Sequence, residues 1–134
     1  MQYHTNTHGP SEPGFKAGFI KAISEATANG TNQVLLLTDG LQNLQGVISS
    51  VLGKAAVKTF EKTREATTGS VTIYLETERI KSIFSKGVIF APFVSSNLLA
   101  VATADYRATD IVYLPWAESE LQSYVQNNPA SVQL

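Results

Sequence analysis

Apolar residues recur along the chain in two rhythms, one helical and one extended, and their alternation predicts the architecture. Phe15, Phe19, Ile20, Ile23 and Ala26 repeat at spacings of three and four, which predicts a helix opening near Gly14 with a single apolar stripe. Asn29-Gly30 supplies its left-handed stop. Val34 to Thr38 is almost wholly apolar and too short for a helix, so it reads as a strand covered on both faces. From Leu41 to Ala66 the helical rhythm returns through Leu44, Val47, Ile48, Val51, Ala55 and Phe60, with Gly46 and Gly53 marking a break. Ser70 to Glu76 alternates, Val71, Ile73 and Leu75 on one side and Thr72, Tyr74 and Glu76 on the other, as a half-exposed strand does. A short helix carrying Ile80, Ile83 and Phe84 and closed by Gly87 precedes a second apolar strand, Val88 to Val94. Helices over Asn97–Ala104 and Ala117–Gln126 flank a last strand, Asp110 to Leu114.

This order, αβαβαβαβα, predicts an α/β fold: a three-layer αβα sandwich around a four-stranded, mostly parallel sheet. The two wholly apolar strands belong at its centre and the other two at its edges, in the Rossmann-like or flavodoxin-like order 2-1-3-4. Residues 1–13, rich in Thr, Asn, Gly and Pro, read as a mobile leader, and residues 14–134 as a single domain.

Composition narrows the partners. With 134 residues, 43% of them hydrophobic, the chain builds one core rather than two. Its 16% charged content is below the usual quarter for soluble domains, which suits surfaces covered by other elements or by further copies in a homo-oligomer. Ten Lys and Arg stand against eleven Asp and Glu with no basic block, so no nucleic-acid partner is indicated. There is no cysteine, which excludes disulfides, thiolate nucleophiles and Cys-held metals. The opening residues lack the basic start and apolar run of a secretory signal, and the expected location is cytoplasmic. Gly87 to Ala104 is long and uncharged, but Pro92 and the trio Ser95, Ser96 and Asn97 interrupt it, so a strand and helix are expected there instead of a membrane span.

In open parallel sheets ligands bind beyond the carboxyl ends of the strands, where successive connections leave in opposite directions. That point collects Asp39 and Gly40 from one strand end and Ser95, Ser96 and Asn97 from another. Gly40 permits a tight turn, the serines and Asn97 open a helix whose N–H groups favour anions, and Asp39 suits a ribose hydroxyl, a metal or a proton. The same residue types cap helices routinely, and capping alone is the commoner use. Trp116, the only tryptophan, ends the last strand, where it either closes over a ligand or partner or plugs the core.

The stretch LLLTDG, Leu35 to Gly40, resembles the strand and metal-loop segment of von Willebrand factor A domains, and FIKAISEATANG resembles the helix before it. The resemblance stops at Gly40. The family's serine-bearing metal motif has no counterpart upstream, so no metal site is assigned.

Other chemistry is weaker. Gly40, Gly46 and Gly53 are too widely spaced for a dinucleotide turn, and no phosphate-loop motif occurs. Gly46, Ser49, Ser50 and Gly53 form a small-residue strip suited to close packing on the sheet or a second subunit. Asp39, Glu76, Glu78 and Asp105 would serve a metal-dependent hydrolase if they converged on one cation, a minority reading. His4 and His8 lie in the leader, which argues against a serine–histidine hydrolase. Asp105 and Arg107 read as a surface pair. The favoured function is a non-catalytic domain binding a small polar ligand or a protein partner, with cofactors open. The alternative is a hydrolase or transferase acting on a phosphate-bearing or nucleotide-like substrate at the strand ends.

Overall fold

A computed structural model describes residues 1–134. The chain runs β1 (Gln2–His4), α1 (Glu12–Ala28), β2 (Gln33–Leu37), a 3-10 turn (Leu41–Leu44), α2 (Val47–Leu52), α3 (Lys54–Thr63), β3 (Glu65–Thr68), β4 (Val71–Glu76), β5 (Gly87–Pro92), α4 (Ser96–Thr103), β6 (Ala108–Leu114), α5 (Glu118–Asn127) and β7 (Val132–Gln133). No helix is long and apolar enough to cross a membrane.

The pleat of β2 shows how the core is divided. Successive strand side chains point to opposite faces. Val34 and Leu36 pack with Phe15 and Ala22 of α1, Ile48 of α2 and Phe60 of α3, while Leu35 and Leu37 pack with Leu98 and Ala102 of α4 and Tyr124 of α5. Both faces of the sheet are therefore covered by helices, which is why the strand carries no polar side.

The sheet has seven strands in the order β3-β4-β2-β5-β6-β1-β7, all pairs parallel except β3 with β4. The expected four-stranded sheet is thus corrected. Its four strands lie together as β4-β2-β5-β6, but the two assigned to the edges are interior, because β3 covers β4 and β1 covers β6. The stretch read as a leader supplies β1, whose Tyr3 and His4 are buried between β6 and β7. Beyond it, Thr5 N–H donates to Tyr113 O at 3.1 Å and Gly9 N–H to Pro115 O at 3.0 Å, so residues 5–9 continue beside the end of β6.

Glycines divide the long helical stretch. Gly46 and Gly53 sit at φ 74° and 92°, backbone that favours glycine, and they separate the 3-10 turn, α2 and α3. A side chain at either would meet nothing within 4 Å, so the proposed small-residue strip breaks helices instead of packing closely. Close approach occurs at Gly18 of α1, where an added Cβ would stand 2.6 Å from the Phe90 ring. Helix α1 is opened by Ser11, whose hydroxyl accepts from Gly14 N–H at 3.0 Å.

The expected helix around Ile80–Phe84 is absent, and residues 77–86 are irregular. Thr77 Oγ1 accepts from Arg79 N–H at 3.3 Å and Ile80 N–H at 3.0 Å, and Glu76 Oε2 accepts from Ser82 N–H at 3.2 Å. The Glu76 carboxylate thus takes the Ser82 amide, which a helix would pair with its own backbone. Phe84 is buried from this segment, whereas Ile83 is 77% exposed.

Candidate functional site

Asp39 follows β2 and Ser95 follows β5, neighbouring strands whose onward connections lie on opposite faces of the sheet. The expected crevice is bridged by a direct contact: Ser95 N–H lies 3.1 Å from each Asp39 carboxylate oxygen. Ser95 Oγ in turn accepts from Leu98 N–H at 3.3 Å as the N-cap of α4. Asp39 is thus a carboxylate at the positive end of α4, where a helix favours negative charge. It occupies an amide that a bound anion would otherwise have met.

Four of the six residues singled out from sequence are divided among three separate clefts, and Ser95 and Asn97 line none of these. Asp39 and Gly40 face Thr77, Glu78 and Arg79 across a space of about 420 Å3. Gly40 is extended at φ −156°, so the expected need for a glycine turn is corrected: its N–H donates to Asn43 Oδ1 at 2.9 Å, and the Gln42 side chain folds where a Cβ would stand. Ser96 lines a groove between α4 and α5, away from Asp39. Asn97 is exposed at the start of α4 and lines none of the three.

Trp116 is 55% exposed and therefore does not plug the core. It stands edge-on to Phe93, with ring centroids 5.3 Å apart and planes at 88°. Phe93 has φ 61°, costly for a bulky residue, and is held by its N–H donating to Leu114 O at 2.8 Å. Pro10, Phe93 and Trp116 line a cleft of about 430 Å3 together with Gln42, Asn43, Gln45, Gly46 and Val47. No ionisable side chain lines it. Sequence reading missed every member except Trp116, because a strained phenylalanine and three side-chain amides carry no motif. Only the order of Gln42, Asn43 and Gln45 directly after Gly40 was there to be noticed.

The acids do not converge on a cation site. Glu76, 1% exposed, accepts from Arg107 through both oxygens at 3.0 Å, and Asp105 accepts from the same guanidinium at 2.8 to 3.2 Å. Arg107 also donates to Phe84 O at 3.1 Å. The supposed surface pair is therefore two arms of a partly buried ion triad that pins residues 77–86 onto the sheet. Burial pushes the Glu76 carboxyl up, but hydrogen bonds from Arg107 and Ser82 outweigh it and hold it below the usual value. The Arg107 hydrogen bonds similarly lower Asp105. No group of three or more His, Cys, Asp or Glu is placed to hold a metal ion.

No protein-family model, curated protein or solved structure matches the chain.

Proposed function

We propose that the chain is a non-catalytic binding domain whose ligand is a planar, uncharged polar molecule seated against Trp116. The observation that carries this reading is the half-exposed indole, braced by a Phe93 in strained backbone, in a cleft also lined by Gln42, Asn43 and Gln45 and by no charged side chain. An aromatic plane binds a flat ring, and carboxamides, which both donate and accept, read its polar edge. The volume lies within the range of small-molecule sites.

A phosphate-bearing substrate is less well supported, since no cation lines this cleft and Asp39 already takes the Ser95 amide. The two readings separate in one experiment. Trp116 is the only tryptophan and reports on its own cleft by fluorescence. Titration with adenosine, uridine and nicotinamide should give saturable quenching by at least one, and adenosine monophosphate should bind no more tightly than adenosine. Trp116→Leu, followed by calorimetry, should abolish the binding. Affinity at least tenfold higher for the monophosphate, or no response to any of the uncharged rings, overturns the proposal.

A further inference from the structure

On the opposite side of the Pro115–Ala117 segment, the groove between α4 and α5 ends on a phenol. Tyr113 of β6 is 2% exposed, and its ring packs on that of Tyr124 with centroids 4.8 Å apart. Buried tyrosine hydroxyls ordinarily find partners. That of Tyr124 does, donating to Gln2 Oε1 at 2.6 Å and accepting from Ser131 Oγ at 3.4 Å. The Tyr113 hydroxyl has no protein partner and is not closed off from solvent, and Tyr113 lines the groove, a space of about 400 Å3.

The walls continue the same chemistry. Ser96 and Thr103 line it from α4, and Ser119 and Ser123, one helical turn apart, from α5. Glu120 Oε1 accepts from Trp116 N–H at 3.1 Å and Ala117 N–H at 2.9 Å, which fixes the carboxylate while its Oε2 bonds to no protein donor. No cation lines the groove.

We propose that this groove binds a hydroxyl-rich, uncharged molecule of monosaccharide size, anchored by the Tyr113 hydroxyl and Glu120 Oε2. A ligand hydroxyl both donates and accepts, so one such group answers Glu120 while another answers Tyr113, and the wall hydroxyls take either role. The bond to the carboxylate is the stronger anchor, being charge-assisted. Leu99 gives the carbon face of a sugar ring an apolar surface. An anion would meet Glu120 without a compensating cation. Burial, and then the Glu120 charge, push the phenol far above its usual value, so Tyr113 stays neutral over the whole working range.

The site shares no lining residue with the Trp116 cleft, and its probes are different. Glucose, galactose and myo-inositol, titrated with ligand-observed saturation-transfer NMR and calorimetry, should include at least one that binds saturably at millimolar concentration or below. Tyr113→Phe should weaken that binding about tenfold without lowering the melting temperature, because the hydroxyl it removes bonds to no protein group. Glu120→Gln, which keeps a capping oxygen, should weaken it further. Three results overturn the proposal: no saturable binding by any of the three, binding unchanged in Tyr113→Phe, or glucose 6-phosphate binding more tightly than glucose.

Discussion

Replacing Arg107 with Met removes the charge at the centre of the triad and keeps the length of the stem. Six donated contacts disappear: two to Glu76, three to Asp105 and one to Phe84 O. Glu76, with 2% of its side chain exposed, is left with Ser82 alone. Removing one partner of a buried ion pair costs about 3–5 kcal/mol, because the other charge stays desolvated. For a domain of this length the entropy of unfolding is roughly 0.28 kcal/mol per degree, so the melting temperature should fall by roughly 11–18 °C. Urea unfolding followed by circular dichroism measures the loss directly. The pH dependence identifies its origin. In the native protein Glu76 lies below its ordinary value of 4.5, so its contribution is present above that pH and is lost as pH falls through the folded value. In Arg107→Met burial acts with little opposition and raises the carboxyl, so the gap from the native protein should narrow between pH 7 and pH 5. Adding Glu76→Gln should recover at least about 1 kcal/mol, since no orphan charge remains. A loss below about 1 kcal/mol, a gap independent of pH, or a double variant no better than the single one would refute the reasoning.

At Gly87, a Cβ would run into the backbone oxygen of Gln33 in the paired strand β2, so Gly87→Ala should cost about 1–3 kcal/mol, read as a lower melting temperature; an unchanged melting point contradicts the packing described. Burial lowers the pKa of His4, so the stability from keeping it neutral is present above its ordinary value of 6.5 and is lost as pH falls through the folded value. Replacing it with Phe should flatten the stability profile below pH 6.5, and an identical slope in the variant would count against the assignment. Asp39→Ala removes the acceptor of Ser95 N–H and should cost about 0.5–2 kcal/mol in urea unfolding, and an unchanged stability would contradict that role.

What could be read from the sequence followed from burial. β2 and β5 lie under helices on both faces, so their composition reports their position, and β4 and β6 were found beside them. β1, β3 and β7 were missed because Gln2-Tyr3-His4, Glu65-Ala66-Thr67-Thr68 and Val132-Gln133 are short and mostly polar; backbone pairing with distant residues makes them strands. The irregular path after β4 was missed because the deciding bonds run from Thr77 and Glu76 side chains to backbone amides, which hydrophobic spacing does not register. At the strand ends, the positions of Asp39 and Ser95 were legible from strand order. Their mutual hydrogen bond, and the pairing of Trp116 with Phe93, depend on side-chain directions that no spacing encodes.

Because Gln2 pairs with Ile111 and Tyr3 with Val132, the β1 segment stays unseated until both β6 and β7 have been made. Such distant pairings are slow to close, and an uncovered rim on β6 exposes the growing chain to improper association in the meantime. A rearrangement in which Met1–Thr5 follows Leu134 through a linker of about a dozen residues, enough to cross back to the start of a parallel neighbour, should refold faster than the present order.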